Sequence, residues 1–443
     1  MRGKRAGVYL LAVTFVAGLF APAAWSQKMD KYYRDCLLEM LDNISKEVQK
    51  NYYDPKLHGV DWDGRVAEAK SEIKQQNSIG MALNYIAWVL DGLNDTHTFF
   101  IPPQGPARHD YGFRTAMVGD HCYVTGVRPG SDAEAKGVRL GDEVLVMDGH
   151  VPDRQVLREL GYRLSVLRPQ PELRLGIRDS AGHGREVVVS AKIVEHQQVT
   201  GLDAATGGMD FWNLIRKSQE ERHRTGIRTA SVGNELLVAK LPGFFFDQSE
   251  VDALVDKARK NQTLIVDLRG NPGGTIETLK YLLGGLFENE VKIGDRSGRK
   301  ELKPEVAKPR GRSTFAGKLV VLVDSQSASA AELFARIVQL EKRGMVIGDR
   351  SSGSDMEARR YSYKAGSQYV IFYGASITES DLIMTDGKSL EHNGVTPDEV
   401  LLPSAADLAS GRDPVLAYAA SRVGVKLTPE DAGKMFPYEW PKE

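Results

Sequence analysis

The chain shows three successive patterns of hydrophobic and polar residues, and each predicts a different architecture. From residue 28 to 104, apolar residues recur every three or four positions, which is typical of amphipathic helices. From 108 to 195, apolar and polar residues alternate in short runs, which indicates β-strands. From 234 to 405, apolar strands alternate with helical stretches, which predicts an α/β layer fold. Residues 196–233 are polar and are expected to connect these parts, and residues 406–443 to form a helix and a tail.

The periodicity also predicts individual elements. Residues 108–195 are expected to contain five strands, at 114–118, 121–127, 143–147, 172–177 and 186–194. Residues 234–405 are expected to contain strands and helices in alternation, with strands at 236–241, 263–268, 318–323 and 345–348 and helices at 249–260, 275–287 and 328–340. The fold class is therefore expected to be α/β and multidomain, with an N-terminal helical domain and a β-rich domain before the α/β domain.

Residues 1–26 are expected to lie outside the fold as a signal peptide. Residues 1–5 are basic, residues 6–20 are largely apolar, and the small residues Ala24 and Ser26 stand on either side of Trp25. This layout is typical of a secretory signal, and the apolar run is short for a membrane span. The chain is therefore expected to be exported, to a periplasmic or extracellular location. An uncleaved membrane anchor is the alternative interpretation.

Composition excludes several classes of function. The 443 residues carry 58 basic and 59 acidic side chains, so no basic surplus indicates nucleic acid or an anionic membrane as a partner. The two cysteines, Cys36 and Cys122, are expected to be buried free thiols, although a disulfide between them is the alternative in an oxidising compartment. No spacing of Cys and His suits a zinc site, and no metal or organic cofactor is expected.

Three segments of the α/β part could carry chemistry. Residues 267–274 form a Gly-rich run after an apolar strand, where glycines let the backbone approach a ligand and direct N–H groups at an anion. A phosphate loop would need a Gly-Lys-Ser/Thr ending, which is absent. Residues 323–332 lead from a strand into a helix and contain three candidate serines, namely Ser325, Ser327 and Ser329. Serine at a helix start is usually an N-cap, but it can also present its hydroxyl at the positive end of the helix.

The third segment, residues 390–398, places Glu391 beside His392 in a turn-rich passage. Taken with the other two, it resembles the catalytic domain of the C-terminal processing (tail-specific) peptidases and of the tricorn core protease. The resemblance implies a crotonase/Clp-protease-like α/β fold, and it covers residues 30–403. It implies that the nucleophile is Ser329, because in that family the nucleophilic Ser directly precedes a small-small-acid triplet. The implied oxyanion hole consists of the N–H groups of Gly274 and Ala330.

The β-rich part resembles a PDZ domain. Residues 129–142 read as a turn, a short helix and a second turn that leads into a strand, as in that family. The resemblance places the carboxylate-binding loop at Tyr111, Gly112, Phe113 and Arg114, with a bound peptide added as an extra strand. The alternative is a small β domain that serves only as a spacer.

The general base distinguishes two branches of the peptidase family. The tail-specific branch uses a Lys at the position of Ser354, so that Lys is missing here, and Lys364 is the nearest downstream alternative. The tricorn-like branch uses a His that follows a hydroxyl residue, together with a Glu from a later loop. The matching residues are His97, Thr96 and Glu391, and His392 is a rival base.

The resemblance implies an exported serine endopeptidase that forms an acyl-enzyme and acts on peptides or unfolded proteins, with the PDZ domain assisting recognition. His97 would take the Ser329 proton, and Glu391 would orient His97 through the Thr96 hydroxyl. The first alternative is a catalytically inactive relative that binds peptides through the PDZ domain. A second, an acyl-CoA enzyme of the crotonase type, fits poorly with a signal peptide.

Overall fold

The computed structural model describes residues 29–105, 107–195, 225–367 and 370–441. The signal peptide predicted at 1–26 and most of the connector predicted at 196–233 lie outside these ranges. Among the helices of the described residues, none combines the length and the apolar character that a membrane span needs.

The N-terminal part consists of three helices and a short strand, in the order α1 Lys31–Asn51, α2 Trp62–Gln75, α3 Ile79–Asp91 and β1 Phe99–Ile101. The carboxylates of Asp30 and Asp61 accept the backbone N–H groups of Tyr33 and Gly64 and so cap α1 and α2. The apolar faces of all three helices pack into one core that also contains residues of a later strand, among them Ala375. The helices therefore bury their apolar faces against the C-terminal half of the chain.

The β-rich part is an antiparallel sheet with two helices. A ribbon of β2 Ala107–Asp110 and β8 Lys192–Glu195 leads into and out of it. Its remaining elements are β3 Phe113–Val118, β4 His121–Val127, α4 Asp132–Ala135, β5 Glu143–Met147, α5 Arg154–Tyr162, β6 Glu172–Arg178 and β7 Gly184–Ser190. Strands β3 to β7 pair in sequence order, so β3 is an edge strand. Cys122 is buried in this core and Cys36 in the core of the helices, and both are free thiols.

The α/β part is built on a six-stranded sheet in the order β18-β15-β14-β11-β10-β9. Its elements are β9 Arg228–Val232, β10 Leu236–Lys240, α6 Gln248–Ala258, β11 Thr263–Asp267, α7 Ile276–Leu286, β14 Lys318–Val323, α8 Ala330–Leu340, β15 Met345–Gly348 and β18 Glu399–Val400. All neighbouring strands are parallel except β9. Helices cover both faces, which is why the central strands are almost wholly apolar. The strands and helices predicted between 236 and 348 occur within two residues of their expected bounds.

A second sheet stands beside the first and was not predicted as such from the sequence. Its five strands are β1, β12 Val291–Gly298, β13 Glu305–Ala307, β16 Met356–Ala365 and β17 Ile371–Ile383. Strand β17 pairs with β16 on one side and with β1 and β12 on the other. Three C-terminal helices complete the described chain, α9 Ala405–Ala409, α10 Pro414–Arg422 and α11 Pro429–Met435. The whole is a mixed α/β, multidomain architecture.

Candidate active site

Two loops meet at the carboxyl edge of the parallel sheet. The Gly-rich turn follows β11, and the serine-containing segment follows its neighbour β14, so both leave the sheet at the same edge. The carbonyl of Asn271 accepts the N–H of Ala328 at 2.9 Å, and the Asp324 carboxylate accepts the N–H of Gly270 at 2.8 Å. The topology thus holds the two loops in contact, as a site built from both of them requires.

Ser329 stands at the junction between β14 and α8 with a strained backbone. Its φ of 54° and ψ of −124° are disfavoured for a residue with a Cβ atom. The other two candidate serines are occupied structurally: Ser325 donates to the carbonyl of Met117 at 2.6 Å, and Ser327 to that of Leu268 at 2.8 Å. Strain at a strand-to-helix turn is typical of a nucleophile that must project its hydroxyl from the sheet edge.

A buried carboxylate fixes the strained backbone of Ser329. Glu332 is fully buried in the first turn of α8. Its carboxylate accepts the N–H groups of Ser329, Gly353 and Ser354 at 3.0, 2.7 and 2.9 Å, and the Ser351 hydroxyl at 2.5 Å. Burial raises the pKa of Glu332, and these four donors oppose that shift. In the sequence Glu332 is recognisable only as part of a motif, yet in the structure it connects Ser329 to the loop of residues 351–354.

The Gly-rich turn lies directly against Ser329. A Cβ atom added at Gly273 would lie 2.6 Å from the Ser329 Cβ, and one at Gly274 would lie 2.2 Å from the carbonyl oxygen of Phe244. With φ values of 90° and 153°, both positions favour glycine. Across the described residues, the N–H groups of Gly274 and Ala330 make no backbone hydrogen bond, and both residues line the cleft beside Ser329. Two such donors beside one hydroxyl are the arrangement that an oxyanion needs.

His97 follows α3 and is held in place by its neighbours. The Asp95 carboxylate accepts the N–H groups of His97 and Thr98 at 2.8 and 2.6 Å, and also the hydroxyl of Thr378 on β17. Burial lowers the pKa of His97, while the nearby charges of Glu391 and Asp95 partly oppose this. A neutral imidazole at neutral pH can accept a proton, which a general base requires.

A hydroxyl and a carboxylate complete a relay behind the imidazole. The Thr96 hydroxyl donates to Glu391 Oε2 at 2.9 Å and lies 2.9 Å from His97 Nδ1. A second oxygen of Glu391 accepts the Thr96 N–H at 2.7 Å. Since a carboxylate can only accept, the single Thr96 proton points to Glu391, and His97 Nδ1 must carry the hydrogen of the other bond. Nε2 is then the proton-free nitrogen. The structure thus brings Thr96, His97 and Glu391 together.

A cleft of about 690 Å³ is lined by both His97 and Ser329. No direct hydrogen bond joins these two side chains in the part of the chain that the structure describes. The rival bases lie elsewhere: His392 Nε2 bonds the carbonyl of Asn94 at 2.9 Å, and Lys364 is exposed on β16. Strand β16 lines the cleft as far as Arg360, and Lys364 lies four positions beyond it, or roughly 13 Å along the strand.

Asp355 also lines this cleft, although no motif in the sequence predicts it as a site residue. Its side chain is 1% exposed, and Oδ2 has no hydrogen-bond partner within the described ranges. Its backbone N–H donates to Glu391 Oε2 at 2.9 Å. Burial raises the pKa of Asp355 well above its ordinary range, and the charges of Glu332 and Glu391 raise it further. Asp355 is therefore expected to stay protonated beside two carboxylates that each accept several hydrogen bonds.

This raised pKa predicts a pH-dependent cost in stability. A carboxyl group whose pKa rises on folding binds more protons when folded, so stability falls as pH increases from its ordinary pKa of 3.8 toward the raised value. Asp355→Asn has the same shape and cannot titrate. We expect it to melt above the wild type at about pH 8 and close to it at about pH 4, measured by scanning calorimetry. The exposed Asp256→Asn serves as control, and an Asp355→Asn difference independent of pH would contradict the assignment.

The β-rich part carries a groove of about 380 Å³ between β3 and α5. Tyr111 and Phe113 line it, whereas Arg114 faces away and stacks on the ring of Tyr438 at 3.9 Å. The Gly112 N–H is occupied by the Asp110 carboxylate at 2.9 Å. The structure thus brings only part of the predicted carboxylate-binding loop to the groove.

The free edge of β3 contacts the nucleophile loop. Ser325 donates to the carbonyl of Met117, and Gln326 donates to the carbonyl of Thr115 at 3.2 Å. These outward carbonyls are the groups that an added peptide strand would use. A peptide can therefore pair along this edge only if the two side chains move away.

Comparison with known proteins places this site in a family context. Residues 237–401 match the model of peptidase family S41. The putative tricorn protease homolog 2 of Streptomyces coelicolor is 24% identical over 412 residues, which cover 87% of this chain and 32% of the relative. The tail-specific protease of Haemophilus influenzae is 34% identical over 281 residues, which cover 58% of this chain and 36% of the relative. The chain therefore spans about a third of the length of these two curated relatives.

The fold is shared with a solved protein over most of its length. The crystal structure of mature CPAF aligns with a TM-score of 0.63 at 18% identity, covering 85% of this chain and 94% of the other. At that identity the likeness shows the fold, and the chemistry has to be argued from the residues of this chain.

Proposed function

Since residues 237–401 match the model of peptidase family S41, we propose that this chain is an endopeptidase with Ser329 as nucleophile and His97 as general base. One observation carries the proposal. The Thr96 hydroxyl joins His97 Nδ1 to Glu391, in a chain whose nucleophile loop and base line the same cleft. This arrangement supports the tricorn-like assignment, and Ser354 stands where the tail-specific branch has its Lys.

The proposed reaction is acyl transfer. His97 Nε2 takes the proton of the Ser329 hydroxyl as the oxygen attacks the peptide carbonyl. The negative charge that develops on the carbonyl oxygen is held by the N–H groups of Gly274 and Ala330, each worth about 3 kcal/mol. His97 then gives the proton to the leaving amine, and the C–N bond breaks to leave an ester on Ser329. Water, activated by the same imidazole, hydrolyses the ester.

The contact between His97 and Ser329 is expected to form when substrate binds. Hydrogen bonds between catalytic groups are often long in unliganded sites and shorten in the complex. Glu391 and Thr96 stabilise the imidazolium because its Nδ1–H already donates along the relay. Glu391 and Thr96 therefore orient His97 before the attack and stabilise its charged form afterwards, and no second proton is transferred.

The low pKa of His97 predicts where activity declines in acid. His97 must be neutral to act, so kcat/KM falls as pH drops through its pKa, which burial places below 6.5. Glu391→Gln removes a charge that raises this pKa, so the acid limb is expected to move to lower pH while kcat falls. A pH profile of kcat/KM with a peptide substrate measures both effects. A limb at or above 6.5, or an upward shift in Glu391→Gln, would contradict the assignment of His97.

Substrates of this cleft are proposed to be peptides or unfolded proteins. Phe99, Phe245 and Leu333 line it beside charged side chains, and it is open enough for an extended chain. Export is supported by the sequence of residues 1–26, and PDZ-assisted recognition by the groove between β3 and α5. The groove could receive a peptide end only with Ser325 and Gln326 displaced.

The test uses the chain without residues 1–26 and a reduced, unfolded protein as substrate. New amino termini should appear over time, and a fluorophosphonate probe should label Ser329, located by mass spectrometry. If peptides bind but none is cleaved and Ser329 stays unlabelled, the inactive peptide-binding alternative is correct.

A further inference from the structure

Ser354 is in contact with both halves of the candidate site. It lies in the loop between β15 and β16 and is 9% exposed. Its carbonyl accepts the Ser329 N–H at 2.7 Å, and its N–H donates to Glu332 at 2.9 Å. Its hydroxyl donates to the Thr96 hydroxyl at 2.8 Å. One residue thus connects the backbone of the nucleophile to the relay behind the base.

The hydroxyl contact completes the bonding capacity of Thr96. A threonine hydroxyl has one proton and two lone pairs. The proton goes to Glu391, and the lone pairs accept from His97 Nδ1–H and from Ser354. With both lone pairs filled, the Thr96 oxygen has only one direction left for its own proton.

The alternative direction would inactivate the base. If the Thr96 proton turned toward His97 Nδ1, that nitrogen would have to be bare and the ring hydrogen would move to Nε2. Nε2–H cannot accept the proton of Ser329. A donor on the far side of Thr96 favours the arrangement in which His97 can act. Hydrogen bonds in a chain polarise one another, so a Thr96 hydroxyl that accepts from Ser354 donates more strongly, and the Glu391 carboxylate is a stronger acceptor than a neutral ring nitrogen.

We propose that Ser354 is a positioning residue, which fixes the reactive tautomer of His97 through Thr96 while its backbone holds Ser329 in its strained conformation. The inference rests on the proposed function and adds a residue to it. It accounts for a polar side chain at a buried position where no substrate contact is needed.

The experiment compares Ser354→Ala and Ser354→Thr with Ser362→Ala, an exposed serine on β16. In Ser354→Ala we expect kcat to fall roughly tenfold with KM within about twofold, since the group acts on the base and not on substrate. Ser354→Thr keeps the hydroxyl and should restore most of kcat, and Ser362→Ala should match the wild type. Because Ser354→Thr adds a methyl group, circular dichroism and melting temperature establish that each variant folds.

The second readout is the tautomer of His97, from the ¹⁵N shifts of histidine-labelled protein without substrate, assigned with His97→Ala. The wild type should show hydrogen on Nδ1 alone, and Ser354→Ala a mixture with hydrogen on Nε2. An unchanged tautomer in Ser354→Ala overturns the inference, whether or not kcat falls. Since this readout needs no turnover, it separates the two failures: full activity of Ser329→Ala would instead overturn the proposed function.

Discussion

Replacing Ser329 with Ala is expected to lower kcat on the order of 10⁵- to 10⁶-fold while the fold is retained. The variant removes the hydroxyl that would form the acyl-enzyme, and a methyl group in its place meets no new neighbour. Residual activity would come from the N–H groups of Gly274 and Ala330 and from substrate binding. Cleavage of an unfolded protein and labelling by a fluorophosphonate measure the loss.

Ser325→Ala is the matched control, because Ser325 belongs to the same loop and competes with Ser329 in the sequence. Its hydroxyl donates to the carbonyl of Met117 in the β-rich part and does not face the cleft. We expect this variant to keep cleavage within about tenfold and to keep the label on Ser329. Loss of labelling in Ser325→Ala, with Ser329→Ala unaffected, would identify a different nucleophile.

The second large effect is expected at the general base. His97→Ala should lower kcat on the order of 10⁵-fold or more, because without an adjacent base the Ser329 hydroxyl is a poor nucleophile. Lys364→Ala should leave cleavage within about twofold, since Lys364 is exposed on β16 and does not line the cleft. Both variants are measured with the same substrate near neutral pH.

The two variants discriminate between the branches of the family. If Lys364→Ala abolished cleavage and His97→Ala did not, the site would use a lysine base, and β16 would have to be placed differently. Exogenous imidazole gives an added check, because it should partly restore His97→Ala, where a cavity replaces the ring, and leave Ser329→Ala inactive. If imidazole restores neither His97→Ala nor Ser329→Ala, the kcat values of His97→Ala and Lys364→Ala still decide between the two bases.

Much of the six-stranded sheet could be predicted from the sequence, and the second sheet could not. Strands such as β11 and β14 are buried on both faces, so each can be recognised from its own uninterrupted apolar run. Strand β17 instead buries Ser376, Thr378 and Ser380. The hydroxyls of Thr378 and Ser380 bond side chains of other elements, those of Thr98 and Glu357. The hydroxyl of Thr378, for example, donates to Asp95. Pairings across such distances have no local periodicity.

The candidate site divides in the same way. The closeness of Ser329 and the Gly-rich turn could be predicted, because each follows a parallel strand of the same sheet and so lies at the same sheet edge. The approach of residues 96 and 391 followed only from family resemblance, since 295 positions separate them. The roles of Asp355 and Ser354 could not be predicted, because they depend on which groups surround a buried acid and a buried hydroxyl in space. The missing lysine at position 354 was the one signal that pointed there.

The segment from Asp324 to Glu332 carries several demands at once. Asp324 accepts a hydrogen bond from the Gly-rich turn, and Ser325 and Gln326 donate to the edge strand β3 of the β-rich part. Glu332 accepts the backbone N–H of Ser329. In evolutionary terms, few substitutions should be tolerated in this segment, since a change that alters its contact with the β-rich part also disturbs the backbone of Ser329. The exposed residues of β16 that line the cleft, Ala358, Arg359 and Arg360, have no contact with that segment among the described hydrogen bonds, so the proposed substrate preference can change there while Ser329 stays as it is.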